Sequence, residues 1–352
     1  MNIVVLAGGI STERDVSLVS GSMVYKALKG NGHNVILLDV YLGYELSDDE
    51  SKEPIESLFD DDRDWAKDIK AVNELNPDVS KVKALRSDGD KSFFGPNVLT
   101  LCQASDVVFM ALHGEHGENG KIQACFDLMG IKYTGTDYVS SAMAMNKSIT
   151  KDIFKVYDIP TPFGISMSRE EYENGPKVEG VPYPLIVKAC SGGSSIGCAI
   201  AQDENGLQAA LDEAFKYDDE VVIEQFINGR ELTVAVMDGE AMPLVEISPK
   251  VGFYDYKNKY QAGSTIEICP APIDEELTKA IQNCAQRAYT ALRLKSYARF
   301  DFLLDKETNK FYCLEGNTLP GMTPTSLVPQ EAAAMGMSFN ELCEKIINLA
   351  LR

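Results

Sequence analysis

The sequence predicts an α/β protein that begins with an open sheet of parallel strands. Two short apolar runs, at 3–7 and 35–40, are separated by a segment of helical character that starts near Asp15. Apolar runs that are continuous rather than alternating are typical of strands buried on both faces of a parallel sheet. A third run at 107–112 follows the same pattern. We therefore interpret the first 112 residues as an open α/β domain.

The remaining two thirds of the chain predict two further mixed domains. A glycine-rich turn at 113–120 separates them from the first domain, and the chain becomes strand-rich from residue 221. The predicted strands lie at 185–188, 198–201, 221–224, 231–237, 242–247 and in a hairpin at 296–317, and the predicted helices lie at about 205–217, 274–292 and 338–351. The predicted domain boundaries are 1–112, 113–222 and 223–352.

The composition restricts the classes of function. A chain of 352 residues with 45% hydrophobic and 24% charged residues predicts a globular protein of more than one domain. Its net charge of -20 argues against binding nucleic acid through a general basic surface. No apolar stretch approaches the roughly 20 residues that span a bilayer. The scattered cysteines and the absence of an export signal predict a cytoplasmic protein with free thiols.

An acidic stretch at 45–64 carries much of the negative charge. We interpret it as a solvated insertion, with a partner-binding segment as the alternative.

The range 299–317 has the strongest chemical pattern. Two strand-like stretches surround a turn-like one, and a turn centred between them places Asp301 opposite Glu315. Because side chains alternate along a strand, Arg299 and Asn317 then share the face of these two carboxylates. Two close carboxylates require a cation or a proton between them, and oxygen ligands of this kind suit Mg²⁺. The alternative is a pair of solvated acids on an outer face.

A second candidate site surrounds the glycine-rich segment 191–197. Its three glycines and three serines allow the backbone to approach a polyphosphate closely, although the P-loop pattern is absent. Lys188, which ends the strand before this segment, and Lys147 are candidates to bind phosphate, and 224–231 is a candidate to bind ribose and base. The structural alternatives are an ordinary hairpin turn and a solvated helix lysine.

The first glycine turn, at 8–14, follows the first strand and resembles the start of a dinucleotide fold. However, G-x-G-x-x-G is absent, and Glu13 stands where a pyrophosphate would require a small residue. Binding of NAD is therefore disfavoured. A carboxylate at a helix start suits a small ammonium group instead.

Five motifs in order resemble the D-alanine-D-alanine ligases of the ATP-grasp superfamily, over essentially the whole chain. They lie at 8–17, 111–114, 193–197, 253–260 and 314–323. The resemblance implies an ATP-grasp fold with an N-terminal open α/β, Rossmann-like domain that binds substrate. It also implies D-alanine and ATP as substrates, two Mg²⁺ ions with Mn²⁺ as a substitute, and a homodimer.

The resemblance also implies a role for individual residues. The catalytic residues would be Glu13, Ser194, Tyr260, Arg299 and Gly321, and the substrate-binding residues His113, Lys259 and Ser326. The ATP-binding residues would be Lys147, Lys188, Ser195, Glu224, Gln225, Phe226, Ile227 and Glu231, and the metal ligands Asp301, Glu315 and Asn317. Among these, Glu13 would hold the ammonium of the first D-alanine, and Arg299 with the Gly321 backbone would form an oxyanion hole. A lid is expected at 250–264.

The implied reaction joins two D-alanines through an acyl phosphate, for peptidoglycan precursor synthesis. One alternative is an ATP-grasp ligase whose second substrate is D-serine or D-lactate, and another is a nucleotide-binding protein without catalysis. Tyr260 favours an amino-acid nucleophile, because the matching tyrosine is typically replaced in ligases that make depsipeptides. The chain departs from the family pattern after Lys188, where Ala189 and Cys190 stand in place of the usual proline.

Overall fold

The computed structural model describes residues 1–67, 69, 79–86, 92–175, 177–193, 197–250 and 264–352. The chain forms two compact units, each assembled from segments that are distant in sequence. Unit 1 comprises Met1–Ser141, Lys295–Ala298 and Thr318–Arg352, and unit 2 comprises Ala142–Leu294 and Arg299–Asn317.

The helices and strands agree in type with most of those predicted. The strands are β1 (Asn2–Ala7), β2 (Asn34–Asp39), β3 (Val107–Met110), β4 (Gly164–Ser168), β5 (Leu185–Ala189), β6 (Cys198–Ala201), β7 (Glu220–Gln225), β8 (Gly229–Met237), β9 (Glu240–Ala241), β10 (Val245–Pro249), β11 (Thr265–Ile268), β12 (Tyr297–Asp305) and β13 (Phe311–Asn317). The α-helices are α1 (Arg14–Gly30), α2 (Val79–Ala84), α3 (Val98–Ala104), α4 (Glu115–Glu118), α5 (Lys121–Met129), α6 (Tyr138–Met145), α7 (Lys147–Val156), α8 (Arg169–Glu173), α9 (Glu204–Ala214), α10 (Glu275–Ala291), α11 (Leu327–Ala334) and α12 (Phe339–Ala350). Two short 3₁₀ helices lie at Glu50–Lys52 and Ile55–Asp60.

Unit 1 is built on the predicted parallel sheet, with strand order β2-β1-β3. Residues 3–7 of the central strand β1 are fully buried, as their continuous apolar run requires. Helix α1 provides the crossover between β1 and β2 and lies close to the sheet. A Cβ on Gly21 would stand 2.7 Å from the Cβ of Ala7, so this approach requires a glycine in the helix.

The two compact units differ from the consecutive ranges 1–112, 113–222 and 223–352 that we predicted. Ile122 and Phe126 of α5 pack in the same core as β1, so the break predicted at 112 lies within unit 1. The C-terminal helix α12 also belongs to unit 1, where Asn340 donates to the carbonyl of Ala27 in α1. Segments that are distant in sequence pack into the same unit, and boundaries drawn from local composition cannot predict such packing. The division into three functional domains stays a prediction.

The acidic segment is more than a solvated insertion. Leu58 and Phe59 are buried in the core of unit 1, and Trp65 packs against it. The guanidinium of Arg63 lies 4.9 Å from the centre of the Trp65 ring, at cation–π distance. Arg63 also lies 2.6 Å from a carboxylate oxygen of Glu50. The acidic segment is therefore attached to the core of unit 1 by buried apolar side chains.

Glu50 makes the segment sensitive to acid. Its carboxylate accepts hydrogen bonds from the backbone N–H of Ser47, from the hydroxyl of Tyr44 and from Arg63, in that order of importance, and these lower its pKa from 4.5 to about 2. A carboxylate whose pKa is lower in the folded state stabilises that state above its unfolded pKa. This stabilisation is lost as the pH falls from about 4.5 toward about 2.

We expect the difference in unfolding free energy between the wild type and Glu50→Gln to shrink over that acidic range, in urea titrations at several pH values. Glu53→Gln is the control, because Glu53 is an exposed acid of the same segment. A difference that stays constant through the range would contradict the assignment of this stabilisation to the charge of Glu50.

Unit 2 contains two largely antiparallel sheets. The four-stranded sheet has the order β4-β7-β5-β6, and the six-stranded sheet has the order β11-β10-β8-β12-β13, with β9 on β8. Helix α9 packs on β5 and β6, and helix α10 packs on β8. Among the described residues, no helix has both the length and the apolar character required to cross a bilayer. All eight cysteines are free thiols.

Candidate active site

The hairpin of β12 and β13 has the predicted register. Asp301 pairs with Glu315, and Arg299 pairs with Asn317. The register shifts after Asp301, because Phe302 pairs with Cys313 and Leu314 is left as an extra residue in β13. Side chains on one side of β12 are buried, whereas Arg299 and Asp301 are only partly buried. The hairpin therefore presents two carboxylates, an amide and a guanidinium on one face.

Several donors surround the Asp301 carboxylate. Arg299 donates to both of its oxygens at 2.9 Å, and the amide nitrogen of Asn317 lies 3.0 Å from Oδ2. From the neighbouring strand β8, the fully buried Thr233 places its hydroxyl 2.8 Å from Oδ1. A bidentate Arg–carboxylate pair is geometrically specific. The orientation of Asp301 is consequently determined from both sides of the strand.

Lys147 approaches the second carboxylate from helix α7. The helix begins at Lys147, since the side chain of Asn146 accepts a hydrogen bond from the backbone of Ile149. The ammonium of Lys147 lies 3.3 Å from Glu315 Oε2 and donates to the carbonyl of Gly192 at 2.8 Å. One lysine thus links the helix, the hairpin and the start of the glycine-rich segment.

Lys188 and Glu224 form a buried ion pair on the four-stranded sheet. Glu224 pairs with Ile186, two residues before Lys188, and so lies diagonally across from Lys188 on the same face. The Lys188 ammonium lies 2.9 Å from Glu224 Oε2. Burial opposes the charge of Glu224, but Lys151 and Lys188 outweigh it and lower its pKa to about 2. Burial also opposes the charge of Lys188, and Glu224 outweighs it, so that the pKa of Lys188 is raised.

A single pocket in unit 2 brings these groups together. Its volume is about 950 Å³, which is at the upper end of the range for small-molecule and cofactor sites. Most of the predicted ATP-binding and metal-binding residues line it: Lys147, Lys188, Glu224, Gln225, Phe226, Ile227, Glu231, Asp301 and Glu315. The pocket therefore combines ammonium groups, carboxylates and apolar side chains from separate strands.

The hairpin carboxylates fit a divalent cation that also binds a ligand. Asp301, Glu315 and Asn317 offer only oxygen ligands, which Mg²⁺ and Mn²⁺ prefer over nitrogen and sulfur. In the described part of the chain, no group of three or more His, Cys, Asp or Glu side chains has the arrangement of a metal site. Mg²⁺ is usually bound by one or two carboxylates together with substrate phosphates. Two carboxylates and an amide match this type of incomplete site.

In unit 1, the first glycine turn places Glu13 at the start of α1. Gly8 and Gly9 have φ angles of 77° and 86°, which suit glycine, and a Cβ on Gly8 would stand 2.4 Å from a carboxylate oxygen of Asp39. Glu13 is buried, and a Cβ on Gly114 would stand 3.1 Å from its Oε2. Gly114 of the second glycine-rich turn therefore lies close to this carboxylate.

Arg14 has a structural role beside Glu13. Its guanidinium pairs with Asp39 and donates to the carbonyl of Gly9 at 2.6 Å. The side chain is buried. The sequence has no pyrophosphate-binding pattern at this turn. In the structure, the Arg14–Asp39 ion pair lies against the turn instead.

His113 and Glu118 hold the segment that contains Gly321. The two ring nitrogens of His113 lie 2.9 Å from the carbonyl of Leu319 and 3.2 Å from the hydroxyl of Ser20. Glu118 accepts hydrogen bonds from the backbone of Gly114 at 2.9 Å and of Leu319 at 3.3 Å. His113 is buried, and these contacts indicate that it orients the Leu319 backbone.

Gly321 and Ser326 lie next to each other at the start of α11. A Cβ on Gly321 would stand 3.1 Å from the Ser326 hydroxyl oxygen, which accepts a hydrogen bond from the backbone of Thr323. Both residues belong to unit 1, as do Glu13 and His113, whereas Arg299 belongs to unit 2.

Four predicted site residues lie outside the described residues: Ser194, Ser195, Lys259 and Tyr260. Most of the predicted lid, 250–264, does as well. The described ends of this range, Lys250 and Ser264, are joined by a backbone hydrogen bond of 3.0 Å.

Sequence reasoning missed three side chains that contact predicted site residues or the segments next to them. They are Thr233, which contacts Asp301, Glu118, which contacts the segment before Gly321, and Lys151, which contacts Glu224. Of the three, only Lys151 could have been predicted from the sequence, because it follows Lys147 by four residues on a helix and so lies on the same face.

Comparisons with known proteins identify the family of the chain. The family description "D-ala D-ala ligase N-terminus" matches residues 2–136, and "D-ala D-ala ligase C-terminus" matches residues 153–348. A D-alanine--D-alanine ligase of Pediococcus pentosaceus is 42% identical over 349 residues, which cover 99% of this chain and 97% of the relative. One of Lacticaseibacillus casei is 40% identical over 355 residues, which cover 100% of this chain and 96% of the relative.

Solved structures have the same fold over the whole chain. The D-alanine--D-alanine ligase of Bacillus anthracis complexed with ATP has a TM-score of 0.75 at 28% identity, covering 100% of this chain and 98% of the other. The VanG D-Ala:D-Ser ligase of Enterococcus faecalis also has a TM-score of 0.75, at 30% identity and with 99% of both chains covered. The predicted ATP-grasp fold with an N-terminal α/β domain is confirmed. The chain belongs to the D-alanine--D-alanine ligase family.

Proposed function

We propose that the chain uses ATP to join two D-alanine molecules into D-alanyl-D-alanine, with release of ADP and phosphate, for peptidoglycan precursor synthesis. The observation that carries the proposal is the hairpin face, on which Asp301 and Glu315 are directly paired and Lys147 approaches Glu315 at 3.3 Å. Carboxylates and an ammonium around one pocket suit a polyphosphate with its divalent cation. Full-length similarity to D-alanine--D-alanine ligases supports the choice of substrate.

ATP occupies the pocket of unit 2 in this proposal. Lys147 and Lys188 contact its phosphates, Glu231 its ribose, and the segment 224–227 its adenine. Ser195 of the glycine-rich segment completes the phosphate contacts. The related Bacillus anthracis structure complexed with ATP supports a nucleotide in this fold.

Asp301, Glu315 and Asn317 hold Mg²⁺ or Mn²⁺ in the proposed complex. A bound divalent cation offsets the negative charge of phosphate oxygens. The described side chains orient this site, since Arg299 and Thr233 both donate hydrogen bonds to the Asp301 carboxylate.

The proposed chemistry has two steps. An oxygen of the first D-alanine carboxylate attacks the γ-phosphorus of ATP, an acyl phosphate forms, and ADP leaves. The amine of the second D-alanine then attacks the acyl carbon, loses a proton, and displaces inorganic phosphate. Arg299 and the Gly321 backbone N–H stabilise the oxyanion of the second step. Because water hydrolyses an acyl phosphate, the site requires closure, which we assign to the range 250–264.

In this proposal, separate groups bind the two amino-acid substrates. Glu13 holds the ammonium of the first D-alanine, supported by Ser194 and Tyr260, and His113 orients the Leu319 backbone. Lys259 and Ser326 take the carboxylate of the second. We propose a homodimer as the assembly.

The substrate assay tests this function directly. With ATP, Mg²⁺ and D-alanine alone, we expect ADP release coupled to D-alanyl-D-alanine, measured by phosphate detection and mass spectrometry, and no reaction with L-alanine. D-serine or D-lactate added in competition should yield little mixed product. No turnover on D-alanine alone, with rapid turnover once D-serine or D-lactate is added, would overturn the proposal in favour of the corresponding mixed ligase.

A further inference from the structure

Lys151 is a buried lysine that none of the proposed roles uses. It lies on α7 four residues after Lys147, so both side chains leave the same face of the helix. Its side chain is only 7% exposed, and its ammonium lies 2.6 Å from Glu224 Oε1. It also donates to the hydroxyl of Thr161 at 2.6 Å. Burial of an ammonium group carries a desolvation penalty, which its contacts with Glu224 and Thr161 offset.

Glu224 connects this lysine to the pocket. The carboxylate is 2% exposed, with Lys151 on Oε1 and Lys188 on Oε2. Lys188 and Glu224 line the pocket, whereas Lys151 lies behind them. Lys151 and Lys188 both lie against this one carboxylate, and of the two ammonium groups only that of Lys188 lines the pocket, where an anionic ligand can contact it.

Thr161, which accepts the hydrogen bond from Lys151, belongs to a segment that borders the pocket. The next residue, Pro162, lines the cavity, and the carbonyl of Pro160 accepts a hydrogen bond of 2.7 Å from the backbone of Cys313 in β13. Lys151 therefore joins a helix, the strand that carries Glu224, and the 160–162 segment. Its removal would free one oxygen of Glu224 to turn toward Lys188.

We propose that Lys151 is a positioning residue of the nucleotide site: it holds one oxygen of Glu224, so that Lys188 presents its ammonium to the polyphosphate. This inference rests on the proposed function, because the polyphosphate is that of ATP. Without Lys151, the Glu224 carboxylate interacts with Lys188 alone and draws its ammonium away from the ligand. The D-alanine sites are not affected directly.

The first test is Lys151→Met, which keeps the length of the side chain and removes the charge. We expect the Kd of ATP, measured by calorimetry without D-alanine, and the KM of ATP to rise about tenfold, while the KM of D-alanine stays within about twofold of the wild type. Lys155→Met is the matched control, because Lys155 lies one turn later on the same helix and is 53% exposed. It should bind ATP like the wild type. Unchanged ATP affinity in Lys151→Met would overturn the inference.

A double-mutant cycle tests whether Lys151 affects ATP affinity by positioning Glu224 or independently of Glu224. If Lys151 acts through Glu224, adding Lys151→Met to Glu224→Gln should cause little further loss of ATP affinity, because the carboxylate that it positions is already absent. Independent losses that add in the double variant would overturn the inference. Should Lys151→Met fail to fold, the comparison of the double variant with Glu224→Gln provides the same test, since the double variant leaves no unpaired buried carboxylate.

The binding measurement also distinguishes this inference from the proposed function. A wild-type protein that binds ATP, together with a Lys151→Met variant that binds equally well, overturns only the role of Lys151. A wild-type protein that does not bind ATP overturns both. Neither result depends on the identity of the second amino acid.

Discussion

Asp301→Asn is expected to lower kcat by about 10³, which corresponds to several kcal/mol of lost stabilisation for the phosphoryl transfer. The substitution removes a negative charge from the cation site and presents an amide nitrogen to donors that need an acceptor. Arg299, Asn317 and Thr233 all contact the two carboxylate oxygens in the wild type. Phosphate release at saturating ATP, Mg²⁺ and D-alanine measures the effect.

Two controls accompany this variant. Glu307→Gln lies in the exposed turn of the same hairpin and should leave kcat unchanged. Thermal unfolding of Asp301→Asn should show a folded protein, and the affinity for Mn²⁺ in the presence of ATP, followed by electron paramagnetic resonance, should fall. Wild-type turnover in Asp301→Asn would remove the argument for a cation at this hairpin.

Gly8→Ala is expected to reduce the unfolding free energy by about 3 kcal/mol or more. A left-handed backbone costs a residue with a side chain about 1–2 kcal/mol, and the new Cβ would stand 2.4 Å from a carboxylate oxygen of Asp39. Displacing Asp39 disrupts its largely buried pair with Arg14, and breaking a fully buried pair costs about 3–5 kcal/mol when one partner is removed. Urea unfolding at neutral pH measures the loss.

Gly32→Ala is the matched control for the backbone contribution. Gly32 has a φ angle of 88°, close to the 77° of Gly8, but nothing lies within 4 Å of an added Cβ. We expect this control to lose only about 1–2 kcal/mol. Equal losses in the two variants would show that the contact with Asp39 contributes nothing.

Because Glu13 lies at the start of the helix after this turn, Gly8→Ala should also raise the KM of D-alanine while the KM of ATP is unchanged.

The candidate site could be predicted best where its geometry is local. The register of Asp301 with Glu315 follows from the length of one hairpin and from side-chain alternation, and the structure has that register. The glycine turn before Glu13 is equally local, because two consecutive residues require positive φ. The pairing of Lys188 with Glu224 could not be derived in this way, since it joins strands 36 residues apart.

Sequence alone determined the type of most elements, the parallel sheet of unit 1, the hairpin face and the family. These follow from patterns within short windows, where backbone sterics and side-chain periodicity act directly. Tertiary structure alone decided that the segment Thr318–Arg352 joins unit 1, that Leu58 and Phe59 anchor the acidic stretch, and that Lys151 lies behind Glu224. These features depend on which apolar surfaces and buried charges meet across long separations, and local patterns do not encode such partners.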